Sequence, residues 1–365
     1  LKRNIIFAKK IHLWLGLVCG FVATLSGLSG SLYVWQPELS QVLNPGVLCV
    51  ERVDTLSEET IHKTAVELYL HFEGELASLH LPYREQQSFL LVLKNGEYQY
   101  FHPATGDLLG TKTISIRFFE HLLRFHRTLL IPRYGNYIVG GSTILFFLLL
   151  LTSGFYLWWK RYRRNPRKGF SLLKNVSLGI IHYDFHKLLG ILFLIPLFVA
   201  ALSGSFFIFM PAWKSVLHIL DSPGKQHLET EGSDYRSFED ALQCSSEDGY
   251  KLRTAYFPTE MSDAHRLRYI KKRFISAGLR QTKEVQLNQN LRSITFAEYH
   301  QNPLSEKIVI QAYPIHIGEM FGLLGRILVF ITGFIPAILL ITGYRFYKFR
   351  KSNNKYGLYN KTNFT

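Results

Sequence analysis

Apolar and polar positions alternate along this chain at two length scales. Four largely apolar runs, roughly 13 to 36, 138 to 159, 187 to 210 and 323 to 344, have the length of helices that cross about 30 Å of hydrocarbon. Between them the pattern changes to shorter periods. After Pro37, Thr55 and Glu58 stand at capping-box spacing ahead of Ile61, Ala65 and Leu68 on one helical face, which predicts a helix. "SFLLVLKNGEYQYFHPATGDLLG" alternates around Asn95 and Gly96, a strong hairpin signal, and closes with a turn at Thr105, Gly106 and Asp107. A compact module of one helix and a small antiparallel sheet is expected there. In the stretch 212–315, "SFEDALQC" predicts a short helix, while "RLRYIKKRFISAG" and "RQTKEVQLNQNLRSITFAEYH" predict strands. It is expected to be a degenerate second copy of the module.

The long apolar runs repeat. "HLWLGLVCGFVATLSGLSGSLYVWQP" from His12 recurs as "HKLLGILFLIPLFVAALSGSFFIFMP" from His186, pairing Gly16 with Gly190, Gly30 with Gly204 and Pro37 with Pro211 at one offset (186 − 12 = 211 − 37 = 174). A second family begins near His126 and near His316 and ends at Gly154 and Gly343, each within a Gly-aromatic-basic segment. The repeat unit is two helices with a large loop between them. The expected fold class is a membrane α-helical protein, with four transmembrane helices as two pseudo-repeats and two extracytoplasmic α+β modules. The expected segments are 1–37 (N-terminus and first span), 38–125 (module), 126–160 (second span), 161–182 (loop), 183–211 (third span), 212–315 (second module), 316–347 (fourth span) and 348–365 (tail).

Charge refines this picture. The net charge of +15 suggests a nucleic-acid binder until its placement is examined. Lys2, Arg3, Lys9 and Lys10 precede the first span, Lys160, Arg161, Arg163, Arg164, Arg167 and Lys168 fill the short second loop, and Arg345, Lys348, Arg350 and Lys351 follow the fourth span. The positive-inside rule then makes both termini and that loop cytoplasmic and turns the two long loops outward, with the lipid bilayer as partner and no nucleic acid. The first span ends in a long aromatic segment rather than a small-residue cleavage site, so a retained anchor is expected. The basic group Arg266, Arg268, Lys271, Lys272 and Arg273 is either a solvated strand face or an electropositive rim for an anionic ligand. Cys49 and Cys244 both lie in outward loops, where a bridge is chemically permitted but not required.

No CxxC or HExxH motif, paired carboxylates, Ser-His-Asp set, phosphate-cradling loop or dinucleotide fingerprint is present. The openings "IHLWLGL" and "FHKLLGI", "FHRTLL" before the second span, "IHIGEMFGLLGR" before the fourth and the Thr-Gly-Asp hairpin resemble the PepSY-associated transmembrane family over nearly the whole chain. The outward modules would then be PepSY-like. The resemblance implies a bacterial inner-membrane oxidoreductase of the ferric-siderophore reductase type, ferrioxamine reductases included. It also implies two haem b groups on His12, His186, His126 and His316, a ferric-siderophore as substrate and an electron donor that the sequence does not identify.

The residues can be read beside that resemblance. A histidine at the end of an apolar span is costly to desolvate and needs a partner or a purpose. In a duplication about an axis along the membrane normal, His12 would face His186 near the inner surface, and His126 would face His316 near the outer one. Each pair offers two imidazoles to one iron, a geometry suited to electron transfer. His182, four residues before His186, and His121, five before His126, are rival ligands. Propionates need cations: Arg127, Arg133 and Arg326 are candidates outside, and Lys9, Lys10 and Lys187 inside. Arg326 could instead snorkel to headgroups. The helix glycines serve close packing or a flat macrocycle, and Trp158, Trp159 and Tyr156 an interface belt or a haem contact. From His316 to Phe346 is thirty residues (346 − 316), which would separate the two iron levels by up to about 45 Å. The competing reading is a membrane-anchored PepSY module with a peptide-binding or regulatory, non-redox role.

Overall fold

The computed structural model describes residues 2–173, 176–221, 237, 240, 249–258, 264–288 and 293–355. Helices α1 (Lys2–Val34) and α2 (Gln36–Leu43) lead to α3 (Glu58–His71), strands β1 (Leu76–His80), β2 (Phe89–Leu93), β3 (Tyr98–Phe101) and β4 (Leu108–Thr111), α4 (Ile114–Thr128) and α5 (Gly135–Tyr162). After a short loop come α6 (Leu178–Leu192), α7 (Leu194–Ile208), α8 (Met210–Leu217), β5 (Lys251–Tyr256), β6 (His265–Ile270), β7 (Thr282–Leu287), β8 (Ser293–Glu298), α9 (Leu304–His316) and α10 (Gly322–Lys355).

Among the described residues, three helices, α1, α5 and α10, are long and apolar enough to cross a membrane. The consecutive pair α6 and α7 makes a fourth span if taken together, bent by 60°. The bend has a local cause. Pro196 lies in the first turn of α7, where its ring cannot donate to the preceding turn and crowds the carbonyl four residues back. The equivalent position in α1 (196 − 174 = 22) is Val22, and α1 runs through unbroken. α1 packs against α10 and α5, α7 packs against α5, and α6 packs against α10, so the four spans form a closed ring. The α1–α10 crossing is tight because a Cβ on Gly27 would overlap the Gly333 carbonyl, and Ser31 Oγ donates to the Phe330 carbonyl across it at 2.8 Å.

The two long segments between the apolar helices do not form two separate modules. Their strands make one antiparallel sheet in the order β4-β3-β2-β1-β5-β6-β7-β8. At the seam Ser78, Leu79 and His80 pair with Tyr256, Ala255 and Thr254. The flanking bonds Leu81 N to Arg253 O and Phe257 N to Ala77 O are related by one offset (257 − 81 = 253 − 77 = 176), so the duplication extends into the sheet. Each half alone would leave an unpaired edge strand; pairing the two edges satisfies both. One apolar core runs across the seam, with Leu79, Phe89 and Leu91 beside Leu252, Leu267 and Leu287. Ile61, Ala65 and Leu68 of α3 are buried in it, as their spacing predicts. The Asn95-Gly96 and Thr105-Gly106-Asp107 turns join β2 to β3 and β3 to β4.

The capping reading is corrected. Ser57, not Thr55, caps α3, accepting from Thr60 N at 3.0 Å. Glu58 reaches into the other half of the sheet instead. Apart from Ser237 and Asp240, the helix read in "SFEDALQC" lies outside the described residues, as do Cys244 with its open pairing to Cys49 and the tail beyond Lys355.

Candidate functional site: two histidine pairs across the bundle

Four histidines sit in four copies of one seat. His12 on α1 shares Nδ1 with the Leu150 carbonyl (3.3 Å) and Ser153 Oγ (3.2 Å) of α5, and its ring lies on Gly154, where a Cβ would come within 2.9 Å. His126, near the end of α4, uses the Ser26 carbonyl (2.7 Å), Ser29 Oγ (3.4 Å) and Gly30 of α1. His186 on α6 uses the Leu339 carbonyl (2.9 Å), Thr342 Oγ1 (3.3 Å) and Gly343 of α10. His316, ending α9, uses the Ala200 carbonyl (3.0 Å), Ser203 Oγ (3.1 Å) and Gly204 of α7. The seat is a carbonyl, a hydroxyl three residues on and a glycine at the fourth, which one helical turn presents together. For His12 the carbonyl belongs to a π-helical turn, Phe146–Leu151.

The seat has a chemical consequence. A carbonyl only accepts, so Nδ1 carries the proton and Nε2 keeps its lone pair. That is the tautomer and orientation of a metal-binding imidazole whose other nitrogen is held by a backbone acceptor. Glycine allows the ring to lie against the helix.

The seats bring the rings together in pairs. The His12 and His186 ring centres are 6.0 Å apart, with planes at 89°. His126 and His316 are 6.1 Å apart, with planes at 53°. Two metal–nitrogen bonds of about 2 Å put imidazole ring centres about 6 Å apart. Each pair therefore has the spacing of two imidazoles that could share one metal. Behind the rings, α1 and α6 bring almost no backbone together, and neither do α4 and α9, so each pair reaches across a gap between helices. These four histidines could hold a planar, six-coordinate cofactor at each level.

The distance between levels is smaller than the chain length suggests. His316 is separated from α10 by a turn, and the seat that α10 gives His186 is at Gly343. Measured along α1, the levels are His12 and Ser29, seventeen residues apart (29 − 12), or about 25 Å.

Other sequence candidates are placed differently. His182 and His121 are in neither pair, and His121 Nδ1 bonds the Arg117 carbonyl within its own helix at 2.8 Å. Arg326 neither snorkels nor waits for an anion. It is buried, bound to both oxygens of Glu38 at 2.5 and 2.6 Å and to the Val34 carbonyl at 2.7 Å, and it lies over Trp35. This ties α10 to the end of α1. Lys187 is also committed, to Asp184 (2.9 Å) and the Ser171 carbonyl (2.8 Å), while Asp184 accepts from Leu173 N. The buried pair straps the basic loop onto α6. Arg127 remains exposed and lines an open cleft of about 320 Å³ with Glu120 and Arg124. Trp158 packs on Phe170 and against Gly169, clamping the loop.

The basic group in the sheet divides. Arg266 and Arg268 lie near Glu284 as a solvated strand face. Arg273 is buried and holds Glu58 through Nε (3.0 Å) and Nη2 (2.5 Å), with Nη1 on the Pro82 and Leu252 carbonyls. Burial pushes the Glu58 carboxyl up, but Arg273 and Lys251 overcome this and hold it at about 2. At the seam, burial and then Arg253 and Arg268 push His80 down to about 4. Lys271 and Lys272 line a cavity beside Arg84 and Arg280.

What the sequence reading missed is the seat. The dipeptides Ser29-Gly30, Ser153-Gly154, Ser203-Gly204 and Thr342-Gly343 recur in all four spans, and the glycines were legible as repeat landmarks. Their pairing with histidines 97 to 156 residues away was not.

A family model described as PepSY-associated TM region matches residues 9–350. No curated relative matches the chain.

Proposed function

The chain belongs to the PepSY-associated transmembrane family; on that premise we propose that it is a di-haem transmembrane reductase that delivers electrons to a ferric-siderophore and so releases iron. The carrying observation is the pair of cross-repeat histidine contacts at 6.0 and 6.1 Å, each ring fixed by the same seat. Haem b, held by His12 with His186 and by His126 with His316, would supply one-electron redox chemistry at each level.

The chain's own residues then have defined tasks. His12 and His186 bind at one level, His126 and His316 at the other. The Leu150, Ser26, Leu339 and Ala200 carbonyls hold the proton on Nδ1 and keep each imidazole a good donor through Nε2. The glycines set ring orientation, and the closed ring of apolar helices excludes water, which favours redox states of low net charge. The donor is a separate molecule, because the chain carries no flavin or nicotinamide motif. Lys160 and Arg161 in the last turn of α5, and Arg163 and Arg164 just after it, lie at the end away from the sheet. That end is the cytoplasmic face of a bacterial inner membrane, and the sheet is periplasmic. Reduction to the softer divalent ion weakens the bonds of an oxygen-donor chelator.

The test is spectroscopic. Purified protein is expected to show a haem b absorbance that dithionite shifts, with two haems per chain. His12→Ala or His186→Ala removes one, His126→Ala or His316→Ala the other. A colourless protein reconstituted with haem to no effect sinks the reading, and so does loss of both haems, or of neither, in all four variants.

A further inference from the structure

A cavity of about 360 Å³ opens between the sheet and the membrane helices, beside the His126–His316 level. Its walls are the strand-connecting segment at Tyr83 and Arg84, the β6–β7 connection, and Pro314 with Glu319 at the end of α9. These walls are anchored. Gly278 N donates to the Met320 carbonyl at 3.0 Å, and Gln311 bonds both the N and the O of Arg280, at 3.0 and 2.8 Å.

The lining is unbalanced in charge. Arg84, Lys271, Lys272 and Arg280 face one carboxylate, Glu319, a surplus of three (4 − 1). Glu319 is already spent on Arg84, at 2.6 Å. Neither Lys272 nor Arg280 has a carboxylate within ion-pair distance among the described residues. Arg280 Nε is buried without a hydrogen-bond partner, and its guanidinium lies 5.2 Å over Tyr313 and 5.9 Å over Tyr83. Burial and the cations Arg280 and Arg268 pull Arg253, behind Tyr83, below the ordinary guanidinium range. A folded protein that concentrates unpaired cations in a cavity bears a free-energy cost that an anion would offset.

The cavity also has a route to the outer pair. Tyr313 contacts Phe207 at 6.3 Å, and Phe207 contacts His316 at 5.5 Å. The space suits a small ligand.

We propose that this cavity binds the substrate, and that the substrate is an anionic ferric chelate of the carboxylate class, held by Arg280, Lys271 and Lys272. The substrate's role rests on the reductase reading above; the anion site does not. Lipid phosphate has related charge, and the test separates the two sources.

The probe is gallium(III) citrate, which has the charge of a ferric citrate complex and accepts no electron, titrated calorimetrically against full-length protein in nanodiscs of zwitterionic lipid. Binding is expected, weakening about tenfold for each cation lost in Arg280→Gln and in Lys271→Gln/Lys272→Gln, and weakening with salt. Lys272 is exposed and Lys271 half-buried, so the double variant keeps the test valid should Arg280→Gln misfold. A positively charged gallium hydroxamate complex is expected to bind at least tenfold more weakly. The proposal is overturned if the variants bind like the parent, if the cationic complex binds as tightly, or if anionic lipid in the nanodisc displaces the citrate complex completely. Haem absorbance on the same samples separates the readings. A red protein without citrate binding overturns the substrate class alone, whereas a colourless one that binds overturns electron delivery and leaves the anion site standing.

Discussion

Gly204→Ala tests the seat most directly. The new Cβ would lie 2.9 Å from His316 Cε1, whereas carbon atoms in contact settle at about 3.5–4.0 Å. The ring must therefore withdraw by about 0.6 to 1.1 Å. Withdrawal by that amount stretches the 3.0 Å bond from Nδ1 to the Ala200 carbonyl beyond hydrogen-bond range. It also exceeds, several-fold, the roughly 0.2 Å within which metal–ligand distances hold. On the di-haem proposal, the expected result is loss of the haem at His126 and His316 with the one at His12 and His186 retained, so the haem-to-protein ratio falls by half, read as pyridine haemochrome absorbance against amino-acid analysis. Gly190→Ala is the control: it lies one helix earlier in the same bent span, and its Cβ would meet nothing nearer than Leu339 at 4.0 Å. Alanine is favoured over glycine in helices by roughly 0.5–1 kcal/mol, so general destabilisation does not account for a loss confined to Gly204. Two haems per chain in Gly204→Ala, or equal losses in both variants, would refute the argument.

Three further outcomes follow from the ion pairs and the seam. Glu58→Gln leaves the buried Arg273 guanidinium without its carboxylate and is expected to destabilise the sheet by about 2–3 kcal/mol, the cost of an orphaned buried charge discounted for a carboxylate that is 30% exposed; denaturation followed by circular dichroism measures it. Because that carboxyl titrates lower when folded, its contribution is complete above its unfolded value and is lost as pH falls toward 2. His80, held neutral in the fold, adds an earlier loss as pH falls from 6.5 to about 4, which His80→Gln should remove from the stability profile. Glu38→Gln strands Arg326, whose side chain is 6% exposed while that of Glu38 is 47% exposed, and should cost about 1–3 kcal/mol, with Arg326→Met on top of it restoring much of the loss; thermal melting in detergent reads both.

Local pattern alone determined a good deal of this protein. Hydropathy located the spans because a bilayer imposes its own length on them. The Asn95-Gly96 and Thr105-Gly106-Asp107 turns were legible because backbone conformation there is set by the residues themselves. The duplication made His12 equivalent to His186 and His126 to His316, and symmetry then implied that they face each other; the 6 Å ring separations agree. Only tertiary structure decided which partners those residues find. Arg326 reaches Glu38 rather than a headgroup, Lys187 turns to Asp184, Glu58 leaves its own helix cap for Arg273, and two expected modules become one sheet across Leu79 and Ala255. Charge and hydrogen-bonding capacity are properties of a residue, but their satisfaction depends on groups brought near by folding from as far as 299 positions away.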